Sequence, residues 1–279
     1  MKLAISSEST CDLNQDYLEK NDIKIIPLAI HFDTEEHLDG VDIFPKDIFE
    51  RVNCGSSLPK TSARSVGDYI YFFNEIKKSY DTILHIAFSS ELSCSYQNAV
   101  LASKEVDGVY VVDSKSLSCG HGLVVDKAVR ERNLSDDINS IVEKVEQIVP
   151  KVSTSFIINT MAYLNKGGRC SSLASFAGSL LKIKPSIKLK DGKMQIGKKY
   201  MGRINEEILK YVDDMLKEFP QFDKEQVYIA YSSSELIDLE KVKEKLLSKG
   251  FKNVYMCPAS CTISSHCGPN TLGIMFIKE

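Results

Sequence analysis

The sequence predicts an α/β protein of two domains, an N-terminal three-layer α/β/α domain on a parallel sheet and a C-terminal α+β domain on a mixed sheet. In the first half, apolar runs of strand length alternate with longer segments of helical periodicity. Such alternation is typical of a parallel sheet covered by helices on both faces. In the second half a hairpin signal joins this pattern and indicates antiparallel pairing as well. Pro150 is the predicted boundary, which gives domains of residues 1–150 and 151–279.

The elements of the first domain follow from short apolar runs and from apolar residues spaced three and four apart. Asp12 is expected to cap the first helix. Pro27 interrupts the second apolar run, so the later part of that run is expected at a sheet edge. The expected strands are Leu3–Ile5, Ile23–Phe32, Ile83–Phe88 and Val109–Val112. The expected helices are Leu13–Lys20, Pro45–Val52, Ser65–Lys78, Leu92–Lys104, Leu117–Arg132 and Ile138–Val149.

The elements of the second domain are predicted in the same way. Asp191-Gly192 between two extended runs is a strong signal for a tight hairpin turn. The expected strands are Phe156–Ile158, Ser186–Leu189, Met194–Ile196, Val227–Tyr231, Val254–Met256 and Leu272–Ile277. The expected helices are Ser172–Leu181, Ile204–Phe219 and Leu236–Lys249.

Composition narrows the class of protein. The chain has 279 residues, 43% hydrophobic and 26% charged, with a formal net charge of −3, which argues against a nucleic-acid partner. The lysines between residues 182 and 199 are predicted to form the solvated face of a hairpin, with a docking surface for an acidic protein as the alternative. No apolar run approaches the ~20 residues of a transmembrane helix. Eight cysteines without a secretory signal predict cytoplasmic thiols.

Three clusters of hydroxyl-bearing residues carry the functional signal. Ser89–Ser95 joins a buried strand to a helix, so hydroxyl groups, free backbone N–H groups and a positive helix end meet there. That combination suits a small anion. Residues 60–65 and 260–266 repeat the chemistry elsewhere. Because no acid–base pair accompanies these donors, the pattern favours a protein that binds an anion or carboxylate, with no cofactor, over a catalyst.

Two alternatives to a binding protein involve chemistry at specific side chains, a hydrolase and a metal site, and a third is a pure protein-interaction module with an apolar interior too small for any ligand. Ser93 or Cys94 as the nucleophile of an acyl-ester hydrolase requires an oriented base. His85, within a strand, is predicted to be a core residue, and the Gly-x-Ser-x-Gly elbow is missing. A metal site at Cys257, Cys261 and His266-Cys267 is disfavoured by the ligand spacing, so His266 is predicted to be a hydrogen-bond donor in a loop.

Together these segments resemble the DegV family of fatty-acid-binding proteins over nearly the whole chain. The matching stretches are Glu8-Ser9-Thr10-Cys11-Asp12-Leu13, Thr61-Ser62, Ser89 to Ala99, Val112-Asp113-Ser114, Tyr163 to Arg169, Ile183-Lys184-Pro185 and His266-Cys267-Gly268-Pro269. Singly these motifs are weak, whereas their order and spacing are specific.

The resemblance implies one long-chain fatty acid held between two domains by a non-catalytic protein. The carboxylate is expected at Thr61 and Ser93, with His266 close by and with Ser62 and Cys94 in the same head-group site. The family also implies that a separate fatty-acid kinase phosphorylates the presented carboxylate, with Arg169 and Arg203 near its docking surface.

Three positions depart from the pattern of the family. Glu8 stands where aspartate is usual, Ala63-Arg64 where Gln-Pro is usual, and Cys94-Ser95 where Gly-Thr is usual. The glycine replaced by Cys94 is expected to offer a backbone N–H group to the carboxylate, so these departures bear on the geometry of the head-group site.

Overall fold

The computed structural model of the chain describes residues 2–170, 183–219 and 221–279. The helix expected at Ser172–Leu181 lies outside these residues. The ten described α-helices are α1 (Gln15–Lys20), α2 (Pro45–Asn53), α3 (Val66–Lys77), α4 (Ser95–Ser103), α5 (Ser118–Arg132), α6 (Ile138–Ile148), α7 (Ala162–Gly167), α8 (Ile204–Lys217), α9 (Leu239–Ser248) and α10 (Cys261–Cys267).

A four-stranded parallel sheet forms the N-terminal part, in the order β2-β1-β6-β7. Its strands are β1 (Leu3–Glu8), β2 (Ile23–Ile26), β6 (Thr82–Ala87) and β7 (Val109–Asp113). Helices α3 and α4 cover one face, where Tyr69 and Phe73 pack on Ile83. Helix α5 covers the other face. The expected parallel sheet between helical layers is confirmed.

A six-stranded mixed sheet forms the C-terminal part, in the order β10-β9-β8-β13-β11-β12. Its strands are β8 (Val152–Ile157), β9 (Ile183–Lys190), β10 (Lys193–Met201), β11 (Gln226–Tyr231), β12 (Asn253–Pro258) and β13 (Leu272–Ile277). Only β11 and β12 pair in parallel among these strands. The β9–β10 turn has positive φ at Asp191 and Gly192, as a tight hairpin turn requires. The predicted hairpin and mixed sheet are confirmed.

A third, three-stranded antiparallel sheet was not predicted. Its order is β4-β3-β5, from β3 (Ala29–Phe32), β4 (Glu35–Leu38) and β5 (Lys60–Ser62). The expectation that the chain after Pro27 lies at a sheet edge is wrong, because β3 is the central strand. Pro27 falls between β2 and β3, where the chain leaves one sheet for another, so its missing N–H group interrupts no ladder.

Helix α5 lies between the two large sheets and contacts strands of both. Leu123, Val124 and Val125 are fully buried, in one apolar cluster with strands of the two halves of the chain. Gly120 permits the close approach, because a Cβ atom there would lie 2.0 Å from Thr154 Oγ1. The chain passes between the halves through the 3-10 turn Val149–Lys151. The boundary at Pro150 stays a prediction.

Two local expectations near the first helix are corrected. Helix α1 begins at Gln15 after Asn14, and Asp12 lies before it in the left-handed conformation. Its carboxylate instead accepts hydrogen bonds from Ser118 Oγ (2.5 Å) and Ser260 N (2.9 Å). Sequence reasoning assigned Asp12 to the nearest helix, whereas the fold uses it between distant segments.

Candidate functional site

An apolar cavity of about 300 Å³ lies between the N-terminal and C-terminal parts of the chain. Its inner part is lined by Leu117, Phe156, Ala230 and Met275, each at most 5% exposed. Its other end carries Thr61, Ser62, Ser93, Cys94, Arg169 and His266. Since Ser62, Cys94 and Arg169 are exposed to solvent, the polar end is the mouth. The arrangement suits a long apolar molecule with one polar end.

Thr61 and His266 form the best-defined pair at the mouth. Strand β5 carries Thr61 and helix α10 carries His266, and Thr61 Oγ1 lies 2.7 Å from His266 Nε2. The prediction that His266 lies in a loop is wrong, because α10 ends one residue later, at Cys267. The residue types from Ser260 to His266 are compatible with a helix. A helix this short, however, shows no periodic pattern of apolar residues in the sequence.

The protonation state of His266 determines whether the Thr61 hydroxyl group can donate a hydrogen bond to a ligand. Burial, and then the charge of Arg169, lower the pKa of His266 to about 4, so the ring is neutral near pH 7. Its Nδ1 atom has no hydrogen-bond partner and faces Gly167, where a Cβ atom would lie only 2.3 Å away. We assign the ring proton to Nε2, since a buried N–H group without an acceptor is costly. His266 then donates to Thr61, which leaves the Thr61 hydroxyl proton for the cavity.

Ser93 and Cys94 precede helix α4. The helix begins at Ser95, three residues later than expected, because residues 89–93 form a turn of their own through Leu92 N and Ser93 N to Ser89 O. Ser93 Oγ lies 2.9 Å from Ser95 Oγ and accepts a hydrogen bond from Ser95 N (3.2 Å). Cys94 is the N-cap residue and is exposed.

Ser62 lies beside Thr61 but its hydroxyl is differently engaged. Neighbouring residues of a strand point to opposite faces, and Ser62 Oγ lies 2.9 Å from His31 Nε2. His31 Nδ1 is in turn 3.8 Å from Glu36. This Ser–His–acid order had no signal in the sequence, because β4 and β5 were not predicted. The contact is at the surface, where Glu36 is 57% exposed.

The two predicted docking arginines lie at different places. Arg169 lines the mouth, is exposed and donates from Nη1 to Gly167 O (2.7 Å). Arg203 is the exposed N-cap residue of α8 and is not among the residues that line the cavity.

Helix α10 is held in place by two carboxylates that sequence reasoning did not connect with the site. Asp39, 3% exposed, accepts from Cys261 N (2.8 Å) and Thr262 N (3.0 Å). Asp12 accepts from Ser260 N, one position earlier. Both carboxyl groups lie at the positive end of the helix, where they accept hydrogen bonds from its first backbone N–H groups. They join the N-terminal half of the chain to the helix that carries His266.

A buried polar network lies behind Ser93. Glu8 Oε1 accepts from Tyr69 Oη (2.8 Å) and lies 3.3 Å from His85 Nε2, and Glu8 Oε2 accepts from Phe88 N (3.0 Å). Burial raises the pKa of Glu8, but His85, His121 and Tyr69 outweigh it and hold that pKa below its ordinary value of 4.5. Glu8 is therefore an anion at neutral pH. His85 is fully buried, as predicted for a core residue.

The positions of these side chains bear on the hydrolase and on the metal site, the two chemical alternatives to a binding protein. Ser93 hydrogen-bonds to Ser95, and no histidine base is placed against it in the described part of the chain. Within residues 2–170, 183–219 and 221–279, no three His, Cys, Asp or Glu side chains are grouped so that they could hold a metal ion. Among the same residues, no helix has both the length and the apolar character needed to cross a bilayer.

Fold and site together define a ligand-binding protein with an enclosed apolar cavity and a polar mouth. The family described as "Uncharacterised protein, DegV family" matches residues 2–279, and the chain belongs to this family.

Relatives with similar sequences cover the whole chain. A DegV domain-containing protein of Streptococcus pyogenes is 31% identical, over 100% of this chain and 99% of its own length. One from Caldanaerobacter subterraneus is 28% identical over the same shares.

Solved structures with a similar fold are also those of DegV proteins. A DegV family protein from Thermus thermophilus, described by its fatty acid binding, has a TM-score of 0.88 and 27% identity, with 100% of both chains covered. DegV from Bacillus subtilis, described as a fatty acid binding protein, has a TM-score of 0.85 and 26% identity, again with 100% of both chains covered. These descriptions favour the predicted binding protein over the serine or cysteine hydrolase.

Proposed function

We propose that this protein binds one long-chain fatty acid, with the acyl tail in the cavity and the carboxylate at Thr61 and Ser93. His266 orients Thr61, and Ser62 and Cys94 form the rim beside them. The observation that carries the proposal is that one buried apolar cavity ends at hydroxyl groups from two distant segments, β5 and the turn before α4. Fatty acids bound by the similar proteins from T. thermophilus and B. subtilis support it.

The acyl tail and the carboxylate head are expected to contribute differently to the free energy of binding. Burial of an acyl tail contributes ~0.8 kcal/mol per CH₂, on the order of 10 kcal/mol in total, less the free energy of association. Each hydrogen bond to the charged head contributes ~1.5–3 kcal/mol. The tail therefore sets the affinity, and the hydroxyl groups select an acid over an uncharged lipid of equal length.

Native mass spectrometry of the purified protein tests the proposal. It is expected to show one long-chain fatty acid per chain, and the delipidated protein is expected to bind palmitate more tightly than hexadecanol. A protein that carries no lipid and binds neither compound would contradict it.

We further propose that the bound acid is presented, in the cytoplasm, to a separate fatty-acid kinase. The exposed carboxylate end of the cavity and the exposed Arg169 and Arg203 support this role, and the buried free thiols Cys11, Cys119 and Cys257 suit a reducing compartment. Arg203→Ala is expected to leave the Kd for palmitate unchanged and to lower the rate at which an added fatty-acid kinase forms acyl phosphate. An unchanged rate would remove Arg203 from the docking surface.

A further inference from the structure

One face of the mixed C-terminal sheet forms a wall of the cavity. Residues two apart on a strand point to the same face, and Thr271, Gly273 and Met275 follow one another at this spacing and all line the cavity. Thr271 lies beside the mouth, because its Oγ1 atom donates to Cys267 O (2.9 Å) at the end of the helix that carries His266. Met275 lies four residues further along the strand, ~14 Å from Thr271. It is therefore at the inner end.

The pairing of strands β8, β13 and β11 locates the end of the cavity. One row of paired residues lines the cavity with all of its members, which are Phe156, Gly273 and Ala230. The next row away from the mouth consists of Thr154, Met275 and Tyr228. Of these three residues, Met275 alone lines the cavity. The cavity therefore ends at the row of Met275.

Helix α5 covers the sheet at this second row. Gly120 lies so close to Thr154 that a Cβ atom on the glycine would be 2.0 Å from Thr154 Oγ1. Met275 is 1% exposed and belongs to the same apolar cluster as Leu123 and Val124 of α5. An acyl tail that reaches Met275 therefore meets a packed interior and extends no further unless this side chain moves.

The Met275 side chain turns back toward the mouth. Its Cε atom lies over Gly273, only 2.8 Å from the position that a Cβ atom of the glycine would occupy. A glycine inside a strand often marks the close approach of another group, and here it leaves room for the thioether. The Cγ, Sδ and Cε atoms of Met275 thus lie against the row of Gly273, at the inner end of the space assigned to the acyl tail.

We propose that Met275 is a specificity-determining residue that sets the longest acyl tail the cavity accepts. Methionine is unbranched and flexible, so its side chain fits closely against the end of a tail. The inference rests on the function proposed above and deepens it, because it names the residue that limits the length of the fatty acid.

Titration of the delipidated protein with saturated fatty acids from laurate to behenate tests it. Each further methylene group that is buried lowers the Kd about 4-fold. In the wild type the Kd is expected to fall with chain length and to level off at the length that reaches Met275. Met275→Ala removes three side-chain atoms and is expected to move this limit toward longer acids by about two to three carbons. Met275→Val, a residue type that suits a strand, is expected to move it less in the same direction.

Met215→Ala is the control, because Met215 is 2% exposed in another apolar cluster and does not line the cavity. It is expected to keep the wild-type limit. The inference is overturned if the Met275 variants keep that limit, if Met215→Ala moves it as far, or if the wild-type Kd continues to fall up to behenate. A wild type that binds none of the acids overturns the proposed function together with this inference.

Discussion

Thr61 Oγ1 and His266 Nε2 lie 2.7 Å apart although 205 positions separate the two residues in the chain. The contact joins a strand of the small antiparallel sheet to a short helix of the C-terminal half, at the mouth of the apolar cavity. Because a neutral His266 donates to Thr61, the Thr61 hydroxyl proton remains available to an acceptor in the cavity. The mouth is thus assembled by the docking of the two halves of the chain.

Replacement of Thr61 by valine tests the role of its hydroxyl. Thr61→Val keeps the shape of the side chain, so the tail is expected to bind as before. The loss of one hydrogen bond to a charged group, ~1.5–3 kcal/mol, is expected to weaken palmitate binding at least 10-fold, as measured by isothermal titration calorimetry. Hexadecanol is the control ligand, and an equal loss for both compounds would show that the variant damages the cavity.

The stability of the protein is expected to depend on pH through His266. Its pKa falls from the ordinary 6.5 to about 4 on folding, so the unfolded chain takes up this proton first as the pH decreases. The contribution of His266 is therefore complete above pH 6.5 and is lost progressively toward pH 4. At pH 5 the loss is about 2 kcal/mol. Urea unfolding at pH 7.5 and pH 5 measures it.

His266→Asn is the matched variant for this pH effect. The free energy of unfolding of the variant is expected to fall less between the two pH values than that of the wild type. An identical fall in both proteins would contradict the buried, neutral state of His266.

Asp39 is expected to be essential for the position of α10. In Asp39→Asn the amide oxygen can still accept from one of the backbone N–H groups of Cys261 and Thr262, whereas the N–H₂ group faces the other, which is expected to cost ~1–3 kcal/mol of unfolding free energy. Palmitate binding is expected to weaken as well, since α10 carries His266. Asp137→Asn, at the exposed cap of α6, is the control and is expected to be nearly neutral because asparagine caps helices equally well.

Gly120 is expected to tolerate no side chain. In Gly120→Ala the new Cβ atom would lie 2.0 Å from Thr154 Oγ1 and 2.4 Å from Ser116 Oγ. Overpacking of this kind costs ~1–3 kcal/mol, measurable as a lower midpoint of urea unfolding. Gly67→Ala, in α3, would meet only Ser65 Oγ at 3.7 Å and is expected to be neutral or stabilising. Equal effects of the two changes would contradict the close packing of α5 on β8.

The elements that could be predicted from the sequence are those that a local pattern of residues encodes. Periodic apolar spacing identified α3, α5 and α8, and Asp191-Gly192 identified the β9–β10 turn. The strands β4 and β5 have exposed or charged residues at most positions, so they carried no apolar signal. Asp12 and Asp39 form their hydrogen bonds to α10 across more than 200 residues, and no local rule links such positions.

The candidate site could be predicted only in part, because no local pattern links residues that are distant in the chain. Motif resemblance placed Thr61, Ser93, Cys94 and His266 in one site, and all four line one cavity. The partner of Ser62, His31, and the network of Glu8, Tyr69 and His85 depend on which strands and helices lie side by side. They become visible only with the fold.

A crystal structure of the complex with palmitate tests the central claim most directly. We expect one carboxylate oxygen at about 2.5–3.0 Å from Thr61 Oγ1, the other at the same range from Ser93 Oγ, and the tail against Phe156 and Met275. Palmitate bound with its carboxylate at the inner end of the cavity, or bound anywhere outside this cavity, would contradict the account.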